Sequence, residues 1–228
     1  MAISGSTAVV GAPGKNSNTG AAYVFTRSGS TWSQRAELTA SGGAPGDRFG
    51  WSVALSGSVA VVGAPGKSAA YVFTGSGGTW SQRAELTAAG GVYSYLFGFS
   101  VALSGSTAVV GAYGQNSYTG AAYVFTGSGG TWSQRAELTA ADGAAGDGFG
   151  YAVALSGSTA VVGAPYKSAA YVFTGSGGTW TQQAKLTAAD AAAGDQFGGS
   201  VAVSASTAVV GAPWKNSVTG AAYVFAGV

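Results

Sequence analysis

Ser4-Gly5-Ser6-Thr7-Ala8-Val9-Val10-Gly11-Ala12-Pro13 decides the architecture, because the 228-residue chain writes it five times with at most single-residue changes. Ala60, Ala108, Ala160 and Ala208 stand where Ala8 stands, at intervals of 52, 48, 52 and 48 residues. A chain that repeats one supersecondary unit has its fold largely set by that unit. Around the stretch lie four short apolar runs per repeat, separated by Gly/Ser turns and without helical periodicity. Run A is Phe49 to Leu55, run B Thr7 to Ala12, run C Ala22 to Phe25 and run D Trp32 to Thr39. Ser56-Gly57-Ser58 joins A to B and Ser28-Gly29-Ser30 joins C to D, both as hairpin turns.

Run D alone alternates cleanly, with Trp32, Gln34, Ala36 and Leu38 on one face and Ser33, Arg35, Glu37 and Thr39 on the other. That is a strand half in water, whereas runs A to C lack a polar face and are expected to be packed on both sides. A meander of four strands with a half-solvated outermost strand is a propeller blade. The reading is therefore an all-β chain, a five-bladed β-propeller of four-stranded antiparallel blades occupying residues 1–228 as one domain. A β-solenoid is the alternative, but its rungs are shorter and give no lone amphipathic fourth strand.

Composition supports a packed chain. Gly accounts for 40 residues and charged residues for only 8%, yet 46% are hydrophobic and 12% aromatic. That apolar content can offset the entropy of ordering, so the glycines read as tight turns and close strand approach. The net charge of +2 comes without a basic cluster, and no nucleic-acid partner is expected. The absence of Cys and His removes disulfides, thiolate chemistry and the commonest general base. Met1-Ala2-Ile3-Ser4 reads as neither a signal peptide nor a membrane span, and membrane insertion is not expected.

Two dipeptide-scale motifs recur in register. Phe49-Gly50, Phe97-Gly98, Phe149-Gly150 and Phe197-Gly198 precede run A. Gly11-Ala12-Pro13, Gly63-Ala64-Pro65, Gly163-Ala164-Pro165 and Gly211-Ala212-Pro213 follow run B. In these motifs the chain resembles, over essentially its whole length, the FG-GAP repeats of integrin α-subunit propellers and their bacterial relatives. The resemblance implies a β-propeller acting in adhesion, ligand binding or carbohydrate recognition, and an extracellular or cell-surface setting. One departure matters. Family members often carry an Asp-rich calcium loop after Gly-Ala-Pro, whereas here stand Gly14-Lys15-Asn16-Ser17, Gly66-Lys67-Ser68 and Tyr166-Lys167-Ser168. Calcium wants several oxygen ligands and a lysine opposes it, so no cofactor is expected.

The eight carboxylates do not suggest catalysis. Glu37, Glu85 and Glu137 each stand two residues from Arg35, Arg83 or Arg135 and read as solvated ion pairs, while the fourth repeat has Gln183 and Lys185. Asp47, Asp147 and Asp195, just before Phe-Gly, read as turn caps. No spacing suggests the converging carboxylates of a glycosidase, and a Ser nucleophile has no His base. An enzyme is not expected.

The repeats differ from one another at informative places. The A-B and C-D turns barely vary, whereas the B-C loops and D-A crossovers do, and a meander brings those two onto one face. The varied positions are rich in aromatics. Trp51, Phe99 and Tyr151, with Gly199 in the last repeat, follow Phe-Gly; Tyr166 and Trp214 follow Gly-Ala-Pro; Tyr93 lies in the second crossover; Tyr118 replaces Asn18 or Val218. These seven aromatics are the candidate ligand-binding set, the first three serving equally well as plugs of the channel mouth. Lys15, Lys67, Lys167 and Lys215 would add a weak positive ring. Exposed Tyr and Trp on varied loops suit recognition of a protein or cell-surface ligand. The alternatives are a lectin with sugars between blades, and an amplified or engineered scaffold, suggested by Thr-Trp-Ser-Gln-Arg-Ala-Glu-Leu-Thr-Ala recurring unchanged in three repeats.

Run D occurs only four times, so the fifth blade should be three-stranded with an open edge at Ala221 to Val228. Such an edge invites pairing with a second copy. A monomer with a tolerated short blade is the alternative. The 52/48 alternation would bring two long repeats together in a ring of five.

Overall fold

The structure, a computed structural model, describes residues 1–89, 96–176, 178–192 and 194–228. It is an all-β five-bladed propeller. Blade 1 holds β1 (Ala2–Ser4), β2 (Thr7–Ala12), β3 (Ala21–Ser28) and β4 (Thr31–Leu38). Blade 2 holds β5 (Ser52–Ser56), β6 (Val59–Ala64), β7 (Ala69–Ser76) and β8 (Thr79–Leu86), and blade 3 holds β9 (Ser100–Ser104), β10 (Thr107–Ala112), β11 (Ala121–Ser128) and β12 (Thr131–Leu138). Blade 4 holds β13 (Ala152–Ser156), β14 (Thr159–Ala164), β15 (Ala169–Ser176) and β16 (Thr179–Leu186), and blade 5 only β17 (Ser200–Ser204), β18 (Thr207–Ala212) and β19 (Ala221–Ala226). Every sheet is an antiparallel meander in chain order.

Alternation sorts each blade's side chains onto two faces. The forward face of blade 1, with Val9, Ala22, Val24 and Leu38, packs on the rear face of blade 2, with Leu55, Ala60, Val62, Tyr71 and Phe73. The same pairing joins blades 2 to 3, 3 to 4 and 4 to 5. Each large side chain buried this way contributes about 1.5–3 kcal/mol relative to exposure.

The two recurring motifs meet at these junctions. Phe49 is fully buried, 5.6 Å from the Tyr71 ring and 5.8 Å from Phe73. Gly50 follows at φ +88, and its N–H donates to the Gly63 carbonyl at 3.0 Å. A β-carbon on Gly11 would collide with the Gly50 carbonyl, and one on Gly50 with the Ala21 carbonyl. The Phe-Gly of one blade thus locks into the Gly-Ala of the blade before it. That is why both motifs recur together.

Two expectations change. Run A does not extend from Phe49: the left-handed Gly50 turns the chain, and β5 begins at Ser52. The Arg–Glu pairs do not form either. A bulge sets Ala36 opposite Val24 and Gln34 opposite Phe25, leaving Arg35 without a cross-strand partner. Arg35 then donates to Thr26 Oγ1 at 2.9 Å, as Arg83 does to Thr74 and Arg135 to Thr126. The caps on Asp47, Asp147 and Asp195 are present, each carboxylate accepting the N–H three residues earlier at 2.7–2.9 Å. The 52/48 alternation resides in the B-C connections. In blades 1, 3 and 5 these contain the short helical segments Lys15–Asn18, Gln115–Tyr118 and Lys215–Val218, each with left-handed Asn-Ser. Blades 2 and 4 connect directly through Pro65 to Ser68 and Pro165 to Ser168.

Candidate functional site

The B-C loops and D-A crossovers share one face and are tied backbone to backbone. The Arg48 N–H donates to the Asn18 carbonyl at 2.8 Å, Gly148 to Tyr118 at 2.7 Å and Trp214 to Asp195 at 3.2 Å. On this frame six aromatic rings run together across blades 2 to 4. Trp51 lies 5.4 Å from Phe99, and Phe99 lies 4.9 Å from Tyr151. Tyr113 fills the angle between them, 4.5 Å from Phe99 and 5.2 Å from Tyr151. Tyr118 joins Tyr113 at 5.9 Å, and Tyr166 joins Tyr151 at 6.1 Å. Trp51, Tyr118 and Tyr166 are exposed, while Phe99, Tyr113 and Tyr151 are half-buried beneath them. Tilted pairs of this kind each add about 0.5–1.5 kcal/mol beyond burial, so the rings hold one another in place.

Of the seven candidates, five belong to this patch: Trp51, Phe99, Tyr118, Tyr151 and Tyr166. Trp214 stands apart on blade 5, exposed, and among the described residues no ring pairs with it. Gly199, at the place of Trp51, Phe99 and Tyr151, ends the row. Tyr93 lies outside the described residues. Tyr113 is the residue missed by sequence reasoning. Its signal was the one Gly-Ala-Tyr among the Gly-Ala-Pro turns. A second signal is Gly148, where the other crossovers carry Arg48, Leu96 and Gln196. A β-carbon at Gly148 would lie 2.7 Å from Tyr166 Cδ2, so this glycine makes room for the ring.

Burial pushes the Tyr113 and Tyr166 hydroxyls above the usual phenol range. Both therefore stay neutral and can donate hydrogen bonds around pH 7. The only charge stacked on the patch among the described residues is Arg48, 5.6 Å from the Trp51 ring. The surface is thus aromatic, hydroxyl-bearing and nearly neutral.

The FG-GAP repeat model matches residues 1–25, 32–76, 80–125, 132–176 and 180–225. The chain belongs to the FG-GAP repeat family. A comparison with curated proteins returns no match. FG-GAP propellers are in general non-enzymatic, and among the described residues no three His, Cys, Asp or Glu side chains converge. No helix among the described residues is long and apolar enough to cross a membrane.

In the loop after Gly-Ala-Pro, lysine ammoniums sit against carboxylate and backbone carbonyl oxygens. Lys167 Nζ lies 2.7 Å from both Asp147 Oδ2 and the Asp142 carbonyl oxygen. Lys215, buried, lies 2.6 Å from the Asp190 carbonyl oxygen and 3.2 Å from Asp195 Oδ2. Lys15 meets Glu37 at 2.7 Å and Lys67 meets Glu85 at 3.3 Å. In blade 3 Gln115 substitutes, sharing Tyr123 and Glu137. The lysines do not form a free positive ring, because each is paired with a carboxylate, Lys167 and Lys215 largely buried and Lys15 and Lys67 part-exposed.

Proposed function

We propose that this FG-GAP propeller is a non-enzymatic recognition module that binds a protein or cell-surface ligand through the aromatic patch on blades 2 to 4. The contiguous patch of six rings carries the reading. Rigid Tyr and Trp rings give large contact area at low entropic cost, and their hydroxyls supply direction. The near-neutral surface favours an uncharged, apolar or hydroxyl-rich epitope over a charged one. Binding proceeds without a bound cation, because lysine ammoniums already neutralise the carboxylates beside the loops. A peptide-display selection on the whole chain tests it: enriched peptides should lose binding to a Tyr113/Tyr118/Tyr166→Ala variant and keep it in a chelator.

A second reading is a lectin, and one observation favours it. A groove of about 400 Å³ opens beside Tyr166 between the B-C loop of blade 4 and the crossover that leads to blade 5, lined also by Lys167, Ser168 and Thr187. An aromatic wall with nearby hydroxyls suits a sugar ring. Saturable hits on a glycan array that vanish in Tyr166→Ala would select this reading over the first. Self-association is a further property we propose, supported by β19, which carries no outer strand.

A further inference from the structure

Each internal junction buries a forward face against a rear face, and the end blades each leave one of these faces uncovered. Val24, Val72, Val124 and Val172 on the forward faces are 0–1% exposed, but their counterpart Val224 on blade 5 is 70% exposed. On the rear face, Leu55 of blade 2 is 9% exposed, whereas its counterpart Ile3 on blade 1 is 61% exposed. Met1, Ile3, Ala8, Val10, Phe25 and Trp32 line an open apolar hollow there. Among the described residues no apolar cluster joins blade 5 to blade 1. The backbone tells the same story: Gly11 lies under the next blade's Gly50 carbonyl, while Gly211 meets only Ser200 of its own blade.

We propose that the forward face of blade 5 docks on the rear face of blade 1 of a second copy, repeating the internal junction between chains. This rests on the self-association reading above and names the surfaces. The complementarity is realised four times within the chain itself, by near-identical residues. A polar contact follows the same rule. Ser4 Oγ accepts from the Gly57 N–H, Ser56 from Gly105 and Ser104 from Gly157, each at 3.1 Å. Ser204 Oγ would then accept from the Gly5 N–H of the second copy. Because two different surfaces meet, the contact is heterologous, and each added chain presents a fresh face.

Sedimentation velocity on the whole chain and on Ile3→Asp and Val224→Asp tests the proposal. Both positions are exposed, and matching circular dichroism and melting curves confirm that the variants fold. Wild type should form dimers and larger species as concentration rises. Each variant alone should stay monomeric, with association weakened at least about tenfold. An equimolar mixture should give dimers that grow no further, because Ile3→Asp still offers blade 5 and Val224→Asp still offers blade 1. A wild type that remains monomeric defeats self-association altogether. Variants that associate as wild type does, through the β19 edge for example, leave self-association standing and overturn these faces, as does a mixture that stays monomeric.

Discussion

Ala205 occupies the turn position held by Gly5, Gly57, Gly105 and Gly157, and adopts the same left-handed backbone at φ +50. An L-residue pays for that conformation sterically, an effect partly offset by the greater unfolded-state freedom of glycine. Ala205→Gly should therefore stabilise the fold by about 0.5–1 kcal/mol, raising Tm by about 1–4 °C. Asp142 provides a pH-dependent case. Hydrogen bonds from Lys185 and Tyr171 hold its carboxyl down to about 2. The folded value lies below the unfolded one, so the stabilisation is present above the unfolded pKa and is lost as pH falls through the folded pKa. Melting curves of wild type and Asp142→Asn should differ at pH 7 and converge between about pH 4 and pH 2. A gap that persists at pH 2 would assign the effect to packing instead.

Within each blade, the strands and their order were legible because period-two patterning and Gly/Ser turns leave little choice. The start of run A was not, since an apolar Phe-Gly-Trp reads as strand until the neighbouring blade forces Gly50 to φ +88. Nor were the partners of Arg35 and Glu37: a bulge leaves Arg35 without a cross-strand partner, and Lys15, 22 residues away in sequence, pairs with Glu37. The role of Phe-Gly is testable. Phe149 is almost fully buried against Tyr171 and Phe173. Phe149→Ala should cost about 3–5 kcal/mol in denaturant unfolding. A loss below about 1 kcal/mol would mean that the junction collapses around the cavity and does not depend on the ring.

Across the whole molecule, repetition specified blade count and the face on which variation collects, and five of seven proposed binding aromatics do converge. Their convergence was only partly readable, because it needs Tyr113 in place of proline and Gly148 beneath Tyr166, two exceptions in different repeats. Trp214 looked equivalent in sequence but sits beyond the break made by Gly199. The constant Ser-Gly-Ser-Thr-Ala-Val-Val-Gly-Ala-Pro builds junctions, and its own uncovered copies at the two ends explain why self-docking is expected. The recognition proposed above rests instead on the places where the repeat is broken. The most direct measurement is the affinity of display-selected peptides for wild type, for Tyr113/Tyr118/Tyr166→Ala and for a control altered on the opposite face at Ser58 and Ser106. Loss of at least about a hundredfold in the tyrosine variant, about 2.7 kcal/mol, with the control unchanged, is the expected result. Equal binding to wild type and tyrosine variant, or loss confined to the Ser58/Ser106 control, would contradict it.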